Sequence, residues 1–528
     1  MTDQLDQMLT RARAGRMSRR EFMGRTTAMG VSAGIASALF AKVARADEPV
    51  RGGTIRVGLS GGESTNSLDP ALAASPAPNI TAQTWGEKLL DVTAEGDIDL
   101  RIADDLSSSP DAGEWTFRIR QGMTFHDGSP ITAEDVVATY TRHTDENAQS
   151  GALGIVQGIA EMKAEGDKVV LTLESPNADL PYLLADYHLT IQPGGGFDNP
   201  AAGIGAGPYK VEEFDPGVRI RFSRFDNYFD SSIGHADAIE FLIINDNTAR
   251  TAALQSGQVH MINRVDPQVA ELLRSAPGVE VKQTAGRGQY CFVMHCDTPP
   301  FDNNDLRMAL KLALKRGEMV EKILGGLGSP GNDFPINAAY PLFDESIPQR
   351  EYDAAAAAEY YARSGHDGSP IILRTAAVAF PGAVDAANLY AASANDAGIP
   401  LQVQLEPDDG YWENVWNIEP FSASYWSGRP VQDQMYTTAY LSTADWNDTR
   451  FENAEFDELL IAARGELDLA KRKDMYSRMA YIVRDEGGFI LPMFNDFVDG
   501  IRDEVKGWYT DPNSELMNYR APVRCWLG

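Results

Sequence analysis

The sequence predicts an α/β protein built from more than one lobe, on three observations. Setting aside a leader at 1–46 leaves 482 residues, too many for a single hydrophobic core, so two or three lobes are expected. The composition changes near residue 300, strand-rich before it and helix-rich after it. Residues 371–405 then read strand, helix, strand, the right-handed crossover unit of a parallel sheet.

Taken in order, Thr54-Ile55-Arg56-Val57 opens a sheet. Trp115, Phe117 and Ile119 alternate with polar partners, as a half-buried strand requires. Gln121-Gly122 turns the chain, and Asp127-Gly128 closes a second short extended piece. Thr132 with Asp135 three residues on forms a capping box, opening a helix through Val136, Val137 and Tyr140. Lys168–Leu173 is a strand, and Gln192-Pro193-Gly194-Gly195-Gly196 reads as a linker. Beyond 300, Asn304 can cap a helix bearing Leu306, Leu310 and Leu314 on one face. A second helix starts at Asp353 and stops at Gly365. Strand Ile371–Thr375, a helix from about 385 to 397 and strand Leu401–Leu405 make the crossover unit, and two amphipathic helices follow near 454–464 and 469–485. Ligands of open α/β sheets sit at the carboxyl ends of the strands, which points to Arg374–Phe380 and Glu406–Trp416.

The N-terminus carries Ser18-Arg19-Arg20-Glu21-Phe22-Met23, a Gly/Ala-rich apolar run from about 28 to 43, and Ala44-Arg45-Ala46. This is the pattern of a twin-arginine export signal, cleaved after Ala46. The run falls short of the about 20 apolar residues that span a bilayer. Residues 1–46 hold eight Lys/Arg and three Asp/Glu, so the mature chain carries 38 basic against 73 acidic residues, a net −35. That balance argues against nucleic acid and anionic membrane as partners. Three cysteines build no disulfide framework; Cys291 and Cys296, five apart on one strand, fall on opposite faces and read as structural.

The wording from Glu114 to Val137 resembles the signature of the family 5 extracytoplasmic solute-binding proteins, the peptide- and nickel-binding receptors of ABC importers. Leu68-Asp69-Pro70, Gly205-Ala206-Gly207-Pro208-Tyr209, Ala252–Gly257, Phe301–Leu310 and the loop Gly325–Pro330 follow in that family's order. The resemblance implies a periplasmic-binding-protein-like α/β fold of two lobes (class II). Lobe I would comprise 47–300 plus 495–528, with an extra subdomain at about 85–200, and lobe II would comprise 301–494. It implies a periplasmic receptor that closes on a peptide or similar small solute and passes it to inner-membrane ABC permease subunits. No cofactor, no metal and no catalysis are expected, and a monomer is expected. The alternatives are a receptor for a metal chelate or haem, for a non-peptide anion such as an opine or oligosaccharide acid, or a ligand-presenting partner of a sensor.

In peptide-binding relatives the strand matching Phe421–Trp426 ends in a tryptophan, and an aspartate three residues later holds the ligand's α-ammonium. Three residues after Trp426 stands Arg429, an inverted charge. Trp426, Gly428, Arg429 and Tyr425 are therefore candidate ligand contacts. In a closed cleft Arg429 wants an anion, either the ligand or a protein carboxylate such as Asp433 or Glu419; the remaining alternative is a solvated residue on the rim. The resemblance adds Phe380, with Arg374 nearby, at the position of a carboxylate-binding arginine, and Asn66 and Ser67 in the loop facing the ligand. Trp412 and Trp416, four apart, read as helix core, and Trp115, Phe125, His126, Asp127 and Gly128 as architecture. Gly58-Leu59-Ser60-Gly61-Gly62 matches a nucleophile elbow, but Glu63 to Pro70 reads as loop where a hydrolase needs a helix. Seven scattered histidines offer no metal spacing.

Overall fold

A computed structural model describes residues 49–145, 149–466 and 468–528. The export signal expected above lies outside them. Two large sheets dominate. One has seven strands in the order Val279–Thr284, Phe497–Arg502, Met261–Ile262, Thr54–Leu59, Ala238–Ile243, Arg219–Arg224 and Tyr209–Asp215. The other has six: Gly328–Pro330, Phe489–Asn495, Gln289–Met294, Phe421–Trp426, Ile371–Thr375 and Leu401–Leu405. A four-stranded antiparallel sheet, with Glu114–Ile119 and Lys168–Leu173 at its centre, forms a separate layer under helix Ala133–His143.

The chain leaves the first large sheet after Thr284, enters the second at Gln289, and returns at Asp496. Strand Gln289–Met294 thus belongs to the second sheet, upstream of the division at 300. The crossing is tightly packed: a Cβ added at Gly286 or Gly288 would lie 2.5 or 2.7 Å from the Phe497 ring. Both central strands of the second sheet are covered on two faces, as an almost continuous apolar run requires. Tyr290, Phe292 and Met294 enter one core with Phe380 and Tyr390, while Cys291 and Val293 enter another with Tyr440 and Phe489. Cys291, Cys296 and Cys525 are free thiols.

Local signals translate well. Thr132 and Asp135 form the capping box. His126 is architectural: its Nε2 lies 3.0 Å from the Gly207 carbonyl, and its backbone N–H donates to Gly205 O at 2.9 Å, so the signature loop is bound to the Gly205–Tyr209 motif. Strands Ile371–Thr375 and Leu401–Leu405 pair in parallel around helix Ala383–Asp396. Two details differ. The cap of helix Asn304–Leu312 is Asn303, whose side-chain oxygen accepts from Asp305 N. The Gly194–Gly196 loop is no loose linker, since Gly194 N donates to Asp135 Oδ1 at 2.8 Å and Arg142 Nε to Gly195 O at 3.1 Å.

A buried charge cluster of the second lobe sits on Asp333. Its carboxylate accepts two bonds from Arg316 at 2.6 and 2.7 Å, pairs with Arg350 Nε at 2.8 Å and accepts Leu491 N–H. Burial holds nearby Lys311 down to about 7. Asp333→Ala leaves the buried Arg316 guanidinium without a carboxylate and Arg350 with Asp485 alone, so a loss of about 3–5 kcal/mol is expected. The urea midpoint measures it.

Candidate functional site

The two lobes meet over a pair of adjoining cavities that share Tyr187, Ser427 and Arg429 as walls. One, of about 40 Å³, is polar, lined by Asp91, Asp186, Gln434, Asn513 and Ser514. The other, of about 20 Å³, is aromatic, lined by Trp412, Trp416, Tyr425, Trp426 and Trp446 together with Asn79. The aromatic rings stand nearly perpendicular: Trp416 to Trp446 at 90° with centroids 5.4 Å apart, Trp412 to Tyr425 at 82° and 5.2 Å.

The second sheet positions the key residues. Strand Phe421–Trp426 turns Phe421 and Ala423 into the core with Phe292, packs Tyr425 partly against it, and ends as Trp426 enters the cleft. Gly428 follows because nothing larger passes there: a Cβ would meet Asn513 O at 2.6 Å and Arg287 Cβ at 2.8 Å. Arg429 is then buried at the junction of the two cavities. Its guanidinium donates to the carbonyls of Ser427 and Gly428 at 3.4 and 3.2 Å and lies 5.7 Å over the Tyr187 ring. Its Nε reaches Asp186 Oδ2 only at 3.9 Å and has no hydrogen-bond partner.

The internal partners expected for Arg429 are engaged elsewhere. Asp433 pairs with Arg464 at 2.8 Å, and Glu419 with Arg374 at 2.9 Å. The facing carboxylate is Asp186, fixed by His188 Nδ1 at 2.5 Å. Burial opposes its charge, but His188 and Arg429 outweigh burial and hold the acid below its usual range.

Across the aromatic chamber, Trp416 Nε1 and Trp426 Nε1 both donate to Asp448 Oδ2, at 3.0 and 3.1 Å. Burial pushes the Asp448 carboxyl up to about 7 against the pull of those two bonds. From the first lobe, Arg264 stacks 3.9 Å over Tyr425 and pairs with Glu515 at 3.1 Å, and Tyr519 meets the Ser427 hydroxyl at 2.7 Å.

The expected residues divide. Tyr425, Trp426, Gly428 and Arg429 lie together on the cavity walls. Trp412 and Trp416 also line the aromatic cavity; Trp412 is a core residue as expected and Trp416 packs against that core, but their helix is only Tyr411–Asn414, so Trp416 lies beyond it. Phe380 is a core residue, stacked at 4.5 Å on Tyr290 and away from both cavities. Arg374 is also away from them, held by Glu406 and Glu419. Asn66 and Ser67 build their own turn, accepting from Glu63 N and Asp69 N. In that loop it is Glu63 and Ser64 that touch the second lobe, at Trp412 N (3.5 Å) and Asp409 (3.1 Å). Ser60 Oγ faces Asn263 at 3.4 Å, not a histidine.

Asn79, Asp186, Tyr187, Trp446 and Asp448 were not anticipated. The only local sign was an aromatic beside a carboxylate in Asp186-Tyr187-His188 and in Trp446-Asn447-Asp448.

Two lobes on separate sheets, joined by two short crossings and closed over shared cavities, define a solute-binding protein of the hinged kind. The chain belongs to the bacterial extracellular solute-binding proteins, family 5, whose model matches residues 69–448. As a member it binds a small solute or peptide and serves an ABC importer. It is similar to the glutathione-binding protein GsiB of Escherichia coli K12, 22% identical over 509 residues that cover 92% of this chain and 96% of that one. Among solved structures, the binding protein AgaA of A. tumefaciens R10 with agropinic acid superimposes at a TM-score of 0.82, 22% identical over 90% of this chain and 99% of that one. DppA of Helicobacter pylori with the peptide STSA also gives 0.82, at 19% identity over 91% and 99%. No helix among the described residues is long and apolar enough to cross a membrane.

Proposed function

We propose that this protein captures a small carboxylate-bearing solute between its lobes, with the carboxylate on Arg429, and releases it chemically unaltered to its permease. One observation carries the reading: Arg429 is buried on the wall common to both cavities, and its Nε has no hydrogen-bond partner. A guanidinium fork matches a carboxylate, and a low-dielectric cleft strengthens the bond. Short peptides and opine-like amino-acid derivatives fall in this class, as do the ligands named for GsiB, AgaA and DppA.

Arg429→Ala is expected to weaken the ligand by tenfold or more in calorimetric titrations with glutathione, dipeptides and agropinic acid. An unchanged dissociation constant for whichever binds removes the contact. The lobes hinge at 285–288 and at Asp496, so the radius of gyration contracts on saturation; an invariant small-angle scattering curve would count against closure. Among the described residues no group of three His, Cys, Asp or Glu is placed to hold a metal, so a metal would arrive already chelated. Metal content of the purified protein separates that reading. The protein is placed in the periplasm by its twin-arginine leader, and N-terminal sequencing of the exported chain should begin at Asp47.

A further inference from the structure

We propose that Asp448 is the positioning residue of the aromatic half of the site. One of its carboxyl oxygens fixes Trp416 and Trp426 as a wall that stands on the second lobe before the first lobe closes on it. The inference does not depend on the carboxylate assigned to Arg429.

The two indoles come from separate segments, one just past helix Tyr411–Asn414 and one at the end of strand Phe421–Trp426. Both donate their N–H to Asp448 Oδ2, at 3.0 and 3.1 Å. A carboxyl oxygen has two lone pairs, so one atom can accept both. Trp446, two residues before Asp448, packs on the same pair, at 90° and 5.4 Å on Trp416 and at 60° and 5.9 Å on Trp426. Three indoles from three segments are thus held as one unit.

The loop that carries Asp448 is itself fixed. Asn447 Nδ2 donates to Phe451 O at 2.8 Å, and Asn447 Oδ1 accepts from Phe451 N at 3.2 Å and from Thr449 Oγ1 at 3.1 Å. Cys296 N donates to Thr449 O at 2.8 Å. All of these groups belong to the second lobe. The first lobe contributes Ala74, Asn79 and Tyr187 to the chamber, and its His188 meets the Trp446 ring edge-on at 4.6 Å. The indole wall therefore needs no closure to form. Rings ordered in advance lose little side-chain freedom when a solute arrives.

The surroundings of Asp448 suit a neutral acid. The residue is fully buried, its Oδ1 has no hydrogen-bond partner, and among the described residues no cation faces it. The titratable groups beside it are Cys291 of strand Gln289–Met294 and Tyr440, just past helix Gln432–Ala439; burial pushes both up, so both stay neutral. Burial also raises Asp448 to about 7, below which it keeps its proton. Oδ2 then acts as a carbonyl oxygen, a part that an amide oxygen can also play. A side chain of the same size without an acceptor would leave two buried N–H groups unpaired, which is costly.

Protein labelled with ¹⁵N in its eight tryptophans reports this with no solute present. Trp416→Phe and Trp426→Phe assign the two indole N–H signals. In Asp448→Leu both signals should move and exchange with water about tenfold faster or more. Asp448→Asn should keep both slow. Either indole unchanged in Asp448→Leu, or Asp448→Asn as fast as Asp448→Leu, overturns the proposal. Should Asp448→Leu fail to fold, a pH titration of the unaltered protein decides. Both indole signals should then move with one midpoint, near 7, and should stop moving in Asp448→Asn. Separate midpoints, or movement of one signal or neither, overturns the shared acceptor. In calorimetric titrations with glutathione, dipeptides and agropinic acid, affinity should fall about tenfold in Asp448→Leu and return in Asp448→Asn. A solute bound equally by all three proteins overturns the role in binding. Arg429 takes no part in the indole signals, so the carboxylate reading can fail without touching them.

Discussion

Arg264→Ala should lower the unfolding free energy by about 3–5 kcal/mol and loosen the closed lobes at the same time. Arg264 is buried, with its charge opposed by Glu515 at 3.1 Å; Asn263 Nδ2 donates to the same carboxylate at 3.2 Å. Asp499 lies alongside, its carboxyl raised well above the usual range by burial and by Glu515. Without the guanidinium, two buried acids face each other with no cation between them. The same side chain stacks on Tyr425 of the opposite lobe, so its loss removes an inter-lobe contact as well as an ion pair. Arg264→Lys restores the charge but not the flat stack, so it should recover stability more than closure. Urea denaturation reads the first effect and small-angle scattering the second. A variant as stable as the parent would mean that the pair contributes nothing net.

Closure should respond to pH through Glu63. This carboxyl belongs to the first lobe, yet its environment is made by the second: Trp412 N–H donates to it, and Asp409 and Glu413 lie near enough to repel its charge. Thr65 and Asn66 of its own loop complete the surroundings. Burial, opposed by the Trp412 bond and reinforced by the two acids, raises it to about 7. With the lobes apart it regains water and an ordinary carboxyl value near 4.5. The closed form then binds more protons than the open form between those values. The contribution to closure is fully present below about 4.5 and is lost as pH rises through about 7. The rise corresponds to at most roughly 3 kcal/mol. Scattering at pH 5 and pH 8 should give a smaller radius at pH 5, and Glu63→Gln should stay compact at both. Identical radii for the parent at both values would refute the coupling.

The parts of the fold that were legible are those in which neighbouring residues decide the outcome. The capping box at Thr132, the alternation of Trp115, Phe117 and Ile119, and the parallel crossover at 371–405 all appear where periodicity puts them. Trp426 was legible as a wall of the candidate site because a strand end followed by Gly-Arg-Pro must leave regular structure, whereas Arg429 was reached only through the resemblance to peptide-binding relatives. Phe380 and Arg374 failed because residue counting after a strand says nothing of which way the chain bends. One turned onto Tyr290 and the other onto two glutamates. Trp412 is in the core as its spacing implies, but Trp416 lies beyond a helix that ends at Asn414, so the two do not share one helical face.

The resemblance to the family alone shows an arginine where relatives carry an acid; by itself, the sequence determined that strands and helices would alternate in more than one lobe, with caps and turns where several of them begin and end. Those are properties of spacing, composition and local hydrogen bonding. Only the tertiary structure decided that Arg429 would face Asp186, and that Trp416 and Trp426 would share Asp448. It also decided that Glu63 would meet Trp412 across the lobes. These contacts join residues from 22 to 349 positions apart. The free energy that sets them comes from burying surfaces distant in sequence, within the second lobe for Asp448 and between the lobes for the others, which no local segment encodes.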